Sequence, residues 1–274
     1  MSGEYMEQAP RPANQKSIFV KRKRVFTIAF LAVLAIYLIS SNVADFSAIS
    51  AIRSIPAAFL WITSNFVPDG QAFSRLPIML EFLMETALVS VAVTVCAAIC
   101  AFFFSLLGTK TTKANPIVAR VVRIIAAFFR NVPDVVWAIL LLFTFGQNIL
   151  TGFFALFFYT FGLMTRTFIE TIDEVSSSCV EALRATGASS LQIVTQGIIP
   201  SSMSVIVSWV LYMIETNIRA STLIGVLTST GIGFLFDTYY KRMEYGSASL
   251  VVLLIVVLVI SIELISTQIR KVIL

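Results

Sequence analysis

The chain has 274 residues, of which 58% are apolar and 13% charged, with a formal net charge of +5 and no His. This composition is far more apolar than a soluble domain needs and indicates a membrane protein. The lack of His removes the commonest general base and metal ligand. The basic excess requires no nucleic acid, because Lys21–Arg24 precede the first apolar run, where cations anchor to anionic headgroups.

Long stretches without charge recur along the chain, including 25–44, 86–109 and 135–165. A helix needs about 20 apolar residues to cross a bilayer. The last stretch is divided by a turn-like cluster at 146–148. The sequence therefore predicts an all-α polytopic membrane protein with about six transmembrane helices. The predicted spans are 24–42, 80–107, 128–147, 149–168, 199–217 and 246–266.

The distribution of basic residues sets the orientation of these spans. With the N-terminus inside, only five of the 20 basic residues lie outside: Arg53, Arg75, Arg219, Lys241 and Arg242. The positive-inside rule therefore predicts that both termini are cytoplasmic in a multi-pass cell-membrane protein. Residues 1–23 are then a cytoplasmic tail, 24–42 the first transmembrane helix, 43–79 an external segment with an amphipathic stretch, and 80–267 one membrane domain.

Signatures of catalysis and of cofactor binding are absent from the sequence. It contains no Gly-x-Ser-x-Gly elbow, no His-Glu-x-x-His motif and no P-loop. Cys96 and Cys100 lie four residues apart on one helical face, but without His or a carboxylate pair they favour packing over a metal site. We therefore expect no enzymatic activity, no cofactor and no metal, and any ATP that drives this protein must bind to another chain.

A polar segment, 181–200 (EALRATGASSLQIVTQGIIP), lies between apolar runs on the predicted cytoplasmic side. Gly187 predicts the end of a helix, because only Gly takes the left-handed conformation cheaply. A second short helix is expected at 189–196, and Pro200 suits the start of a further helix. Two short helices that meet at a bend can present a rigid knob to a partner. An ordinary loop with a helix cap at Gly187 is the alternative.

This segment resembles the EAA loop of ATP-binding-cassette importer permeases, here placed at 178–200. Four family residues stand in register, namely Glu181, Ala182, Gly187 and Pro200. The departures are Leu183 for the second Ala, Gly197 for Ile and Ile199 for Leu. The resemblance implies that Glu181, Ala182, Gly187 and Pro200 couple the membrane domain to a separate ATPase.

Two further stretches resemble signatures of the phosphonate permeases within this class. Residues 130–138 resemble their Arg-x-x-Pro-Asp-x-x-Trp-Ala segment, and 215–219 their Glu-x-Asn-x-Arg segment. Residues 231–234 resemble the end of their glycine-rich outer loop, whose first part is replaced by 228–230. The resemblance covers about 80–267 and implies a type I importer core. It also implies a homodimer in the lipid bilayer, two ATP-binding ABC subunits and an external solute-binding protein.

Ionisable residues near the predicted outer end of the fifth span suggest a solute path. Glu215 and Arg219 lie four residues apart, within reach of an ion pair. That pair is either purely structural, or Asn217 and Arg219 help to attract an oxyanion, for which guanidinium is a good partner. Gly231 and Gly233 fall in a predicted broken stretch that either lines the path or forms plain turns.

Arg130 and Asp134 are also four residues apart and predict a structural ion pair at the entrance to the third span. Within the transporter class, a permease for methionine or quaternary amines is the alternative, although such solutes would favour an aromatic cage. A stand-alone secondary transporter is the other alternative. It would favour an inverted repeat and intramembrane carboxylates, neither of which is clear here.

Overall fold

The computed structural model describes residues 15–110 and 115–273, so that most of the predicted 1–23 tail lies outside the described residues. Over the described ranges the chain is helical and contains no strand. It divides into two compact units, Met1–Trp61 and Ile62–Leu274. The predicted all-α class is confirmed.

The first unit holds one long helix and most of a second. Helix α1 (Gln15–Val43) includes an apolar window long enough to span a membrane, none of which is buried. Such an exposed apolar helix is stable only in lipid or against another protein. Helix α2 (Ala48–Asn65) contains Pro56 and buries no residue.

The second unit is a bundle built on three long helices. Its elements are α3 (Gly70–Ser74), α4 (Leu76–Gly108), α5 (Pro116–Asn131), α6 (Asp134–Phe145), α7 (Ile149–Val175), α8 (Ser177–Ala185), α9 (Ser190–Gln192), a π-helical turn (Ile193–Ile198), α10 (Ile199–Thr228), α11 (Gly231–Lys241) and α12 (Tyr245–Ile273). Helices α4, α7 and α10 pack on one another at its centre, α5 and α6 pack on α7, and α11 lies between α4, α10 and α12.

Five of the described helices are long and apolar enough to cross a membrane, and the bent pair α5–α6 would make six. The predicted number of spans is therefore confirmed. The third predicted span, 128–147, is not a continuous helix. Helix α5 ends at Asn131, α6 begins at Asp134, and the two axes meet at 88°.

Proline chemistry accounts for this bend. Pro133 has no N–H to continue α5, and it holds the preceding Val132 in an extended conformation (φ −93°, ψ 117°). The bend frees carbonyl groups at the end of α5, and Trp137 Nε1 donates to the Phe129 carbonyl at 3.4 Å. The ring of Trp137 also lies 5.5 Å from that of Phe129 and 5.0 Å from that of Phe158. The Pro-Asp-x-x-Trp segment therefore forms a structural corner.

The predicted ion pair between Arg130 and Asp134 is not formed. Spacing of four residues brings side chains together only along a continuous helix, and here the bend lies between the two. Asp134 Oδ1 instead accepts a hydrogen bond from the Val135 N–H at 2.8 Å. A carboxylate in the first turn of α6 also suits the positive end of the helix dipole.

Polar contacts fasten both ends of the bundle. At one end, Arg75, before α4, pairs with Glu244, before α12; the hydrogen bond with Glu244 raises the pKa of the Arg75 guanidinium. At the other end, Asp173 of α7 accepts from the Lys110 N–H at 2.9 Å and lies 3.4 Å from Arg123 Nη2 of α5. The helix ends are thus held by contacts distant in sequence.

A glycine in α7 permits the corner to sit close to the bundle. A Cβ atom at Gly162 would lie 2.6 Å from the Arg130 backbone nitrogen and 2.8 Å from Phe129 Cβ. Neither atom can move without displacing α5, so α5 and α7 can approach this closely only at glycine.

We therefore expect Gly162→Ala to destabilise the bundle by about 1–3 kcal/mol, the usual cost of overpacking. Gly152→Ala, on the same helix, is the matched control, because a Cβ atom there finds its nearest neighbours at 3.5 Å, an ordinary contact. Thermal unfolding of the purified protein in detergent measures both. Equal melting temperatures for the two variants would contradict this account of the corner.

Candidate functional site

A cluster of four buried polar residues joins the three central helices. The amide nitrogen of Asn217 (α10) donates to Thr94 Oγ1 (α4) at 2.8 Å, and its oxygen accepts from Thr160 Oγ1 (α7) at 3.1 Å. Ser90 Oγ donates to the backbone carbonyl oxygen of Asn217 at 3.3 Å. Asn217 is 1% exposed. The Asn217 side-chain amide therefore lies in the bundle interior, whereas the sequence predicted that it would help to attract the solute.

This cluster fixes the depth of the neighbouring ionisable residues. Ser90 and Thr94 flank the midpoint of α4, the 33-residue helix Leu76–Gly108. Asn217 lies at the same level, and Arg219 is two residues further, a rise of about 3 Å. The predicted fifth span ended at 217, whereas α10 continues to Thr228. Arg219 thus lies near the middle of the bundle rather than at its outer end.

Three charged side chains meet at this depth. Arg219 Nη1 lies 2.7 Å from Glu215 Oε1, and Arg270 Nη2 of α12 lies 3.8 Å from Glu215 Oε2. The Glu215 side chain is only 12% exposed, whereas that of Arg219 is 48% exposed. Ionisable groups at membrane depth usually face an aqueous path or a partner. Arg219 lies on the same face of α10 as the exposed residues Tyr212 and Leu223.

The predicted path glycines lie in tight helix contacts. The break between α10 and α11 is short: Ser229 is left-handed (φ 57°), and Gly231 has φ 58° at the start of α11. A Cβ atom at Gly231 would collide with Thr86, and one at Gly233 with the Thr222 carbonyl. Both glycines are buried. They allow α11 to approach α4 and α10, which differs from the predicted lining of an open path.

The 181–200 segment forms two helices at a glycine bend. Helix α8 ends in a Schellman motif: Gly187 has φ 81°, its N–H donates to the Arg184 carbonyl, and the Ala188 N–H donates to the Leu183 carbonyl. Ser189 then opens α9 with a capping box that includes Gln192. Each turn of the bend therefore follows from its local sequence.

The second helix does not end before Pro200, as the prediction supposed. Helical structure continues from Ser190 to Thr228 through the π-helical turn. Pro200 lacks the N–H that a regular helix would use, and the wider π turn accommodates it. Ser201 and Ser202 hydroxyls hydrogen-bond the Gly197 and Ile198 carbonyls, each at 2.6 Å. One helix thus connects the bend to the charged residues.

The surface of this segment is available for a partner. Glu181, Ala182, Gly187 and Pro200 are exposed, and Leu191 is an apolar side chain with 73% exposure. Its inner side is anchored by a core cluster of Ile172, Val180, Ile193 and Ile198. The segment is therefore a supported knob at one end of the bundle.

Two departures from the family pattern compensate each other in space. Leu183 stands where the pattern has Ala, and Gly197 where it has Ile. A Cβ atom at Gly197 would lie 2.8 Å from Leu183 Cδ1. Leu183 therefore occupies the volume that an Ile at 197 would need, and α8 packs on the π turn through this exchange.

Several of these features carry no sequence signal. Thr94, Thr160 and Arg270 lie on helices far from Asn217 and Glu215 in the chain, and a single sequence gives no reason to join them. The contact between Leu183 and Gly197 is different, because the sequence does carry a signal for it. One departure from the family pattern enlarges a side chain and the other removes one, which could have suggested that the two positions are in contact.

The chain belongs to the family described as "binding-protein-dependent transport system inner membrane component", whose model matches residues 101–273. It is therefore a multi-pass inner-membrane permease subunit of a transport system, and not itself an enzyme. The predicted membership of the ABC importer permeases is confirmed.

Two relatives and one solved structure illustrate the similarity. HtxC of Stutzerimonas stutzeri, provisionally named a phosphite transport system permease protein, is 29% identical over 96% of this chain and 92% of its own length. The phosphate-import permease protein PhnE of Mycolicibacterium smegmatis is 29% identical over 70% of this chain and 36% of its own length. An inward-facing structure of the MetNI methionine ABC transporter covers 72% of this chain and 98% of the matched chain, with 20% identity and a TM-score of 0.60. The last likeness concerns the fold alone.

We expect Gly197→Ile to displace α8 through its clash with Leu183, costing about 1–3 kcal/mol. The double variant Leu183→Ala with Gly197→Ile has the family's residues at both positions, so the small side chain at 183 leaves room for Ile at 197. It should recover most of the lost stability. Thermal unfolding and uptake by the assembled transporter measure both effects. Losses that simply add in the double variant would show that the two side chains do not exchange volume.

Proposed function

We propose that this chain is the permease subunit of an ATP-driven importer for a phosphorus oxyanion such as phosphonate, phosphite or phosphate. The observation that carries the proposal is the exposed guanidinium of Arg219 near mid-depth of the bundle. Guanidinium binds such anions through paired, charge-assisted hydrogen bonds. Relatives named for phosphite and phosphate transport support this choice of solute.

In this proposal, Glu181, Ala182, Gly187 and Pro200 lie in the cytoplasm as the ATPase-coupling residues. Both termini are cytoplasmic, and the Arg75–Glu244 end of the bundle is external. The coupling end carries Arg120, Arg123 and Arg166 as well as Arg184, which agrees with the positive-inside rule. The exposed knob and its buried anchor suit the transmission of force from a motor.

The assembly has two copies of this chain, two ATP-binding ABC subunits and an external binding protein that delivers the solute. Arg219 of each copy faces the other across the path. ATP binding closes the motors, and the coupling segments carry that closure to the spans. Transport then follows from a two-state equilibrium that ATP and loaded binding protein bias through different contacts in each state.

A permease for methionine or quaternary amines is less well supported. A displayed guanidinium near mid-depth repels a cationic solute, and the likeness to MetNI at 20% identity bears on the fold alone. A stand-alone secondary transporter also suits this chain less well, because the exposed coupling segment would have no purpose without a motor.

We expect Arg219→Gln to reduce phosphorus-oxyanion uptake by at least tenfold, because the path loses its cation. Lys241→Gln is the control, since it removes the cation of another i,i+4 ion pair, with Asp237, on α11. Initial uptake by proteoliposomes that contain the complete transporter measures both variants. Protein level and ATPase capture should stay at the wild-type value for each.

Unchanged uptake by the Arg219→Gln variant would contradict the proposed path. Equal loss in the two variants would attribute the effect to any broken surface ion pair rather than to the position of Arg219.

Assembly with the ATPase is expected to depend on Gly187. Gly187→Trp should abolish capture of the ATPase, because its side chain projects into open space on this chain, where a partner would sit, and because φ 81° strains any residue with a Cβ. Gly187→Asn tolerates that conformation and should retain capture. Purification from cells with two differently tagged copies measures the captured ATPase and the homodimer together. Equal capture by Gly187→Trp would refute the coupling role, and recovery of only one tag would refute the homodimer.

A further inference from the structure

Glu215 has two candidate cationic partners rather than one. Its Oε1 lies 2.7 Å from Arg219 Nη1, and its Oε2 lies 3.8 Å from Arg270 Nη2. The first distance is a hydrogen-bonded ion pair, and the second is just beyond hydrogen-bond length. The carboxylate is 12% exposed, so it is largely withdrawn from solvent between the two arginines.

The direction of the Arg270 side chain is unusual for its position. Arg270 lies in the last turn of α12, where a long cationic side chain ordinarily extends away from the apolar region. Here its Nε donates to the Ser266 carbonyl one turn earlier, at 3.3 Å, and Nη2 approaches Glu215. The side chain thus turns back toward the middle of the bundle. Its side-chain exposure is 30%.

The second arginine bears on how an anion could bind to Arg219. An anion that reaches Arg219 must compete with Glu215 for the same guanidinium. If Glu215 had no other partner, its displacement would leave a largely buried carboxylate uncompensated, which is strongly unfavourable. A movement of about 1 Å would bring Arg270 to hydrogen-bond length and provide that compensation.

We infer that Glu215 is an exchangeable counter-ion: it occupies Arg219 while the path is empty and transfers to Arg270 when the oxyanion arrives. The inference rests on the proposed function, since it assumes that Arg219 meets the solute. It makes Arg270 a positioning residue that acts through Glu215 and does not touch the solute.

The exchange also fits the charge of the solute. Two arginines and one glutamate leave one net positive charge in each chain. With solute bound, Glu215 and Arg270 neutralise each other, and the Arg219 charge is left to the oxyanion. Two copies of the chain would together offer two such charges, which matches a divalent oxyanion.

A set of single and double substitutions tests the exchange by uptake into proteoliposomes with the complete transporter and saturating binding protein. Arg270→Gln should lower the initial uptake rate roughly tenfold, within the usual range of coupling between sites, because Glu215 then stays on Arg219. Arg270→Lys keeps the charge and should retain most uptake. The double variant Glu215→Gln with Arg270→Gln removes the competing carboxylate and should recover uptake. ATPase capture reports assembly for every variant.

Recovery in the double variant supports the exchange when ATPase capture is unchanged in every variant, because loss of a purely structural tie would lower assembly in Arg270→Gln together with uptake. A fall in ATPase capture by Arg270→Gln that matches its fall in uptake would overturn the inference. A double variant as impaired as Arg270→Gln would overturn the inference while leaving the proposed function intact if Arg219→Gln still abolishes uptake. Unchanged uptake in Arg219→Gln would overturn the proposed function itself, and the exchange with it.

Discussion

In a bundle surrounded by lipid, a buried polar group without a partner in the protein is costly, because no water is available to replace that partner. The amide of Asn217 meets this constraint by joining Thr94 and Thr160, so α4, α7 and α10 share one hydrogen-bonded centre. The register that this centre imposes on α10 carries Arg219 to an exposed position on the next half-turn. The position of the charge that we propose to face the solute thus depends on a neutral cluster inside the bundle.

One helical stretch links the bend at Gly187 to the charged residues. Helical structure runs from Ser190, beside the coupling bend, to Thr228 without a break. Arg219 lies 29 residues from Ser190, a distance of roughly 44 Å along the axis. The capped bend at Gly187 and the exchange of volume between Leu183 and Gly197 hold the base of this helix. A movement imposed on the knob is therefore available, through one continuous helical stretch, to the charged residues.

Local chemistry made much of this architecture predictable. The number of spans followed from apolar runs, and the two helices of the coupling bend followed from Gly187 and Ser189. The bend at Pro133 was missed because the length of an apolar run says nothing about its direction, although the proline carried the signal. The depth of Arg219, the burial of Asn217 and the approach of Arg270 to Glu215 all depend on contacts between distant helices. Only the assembled bundle decides such contacts.

The central claim is that Arg219 faces a water-filled solute path near mid-depth of the membrane. It is tested most directly by the rate at which a charged thiol reagent labels Arg219→Cys in the assembled transporter, after Cys96, Cys100 and Cys179 are replaced by Ala. Leu253→Cys on α12, 49% exposed, is the lipid-facing reference. The account predicts rapid labelling at 219 and almost none at 253. Labelling at 219 as slow as at 253 would contradict it.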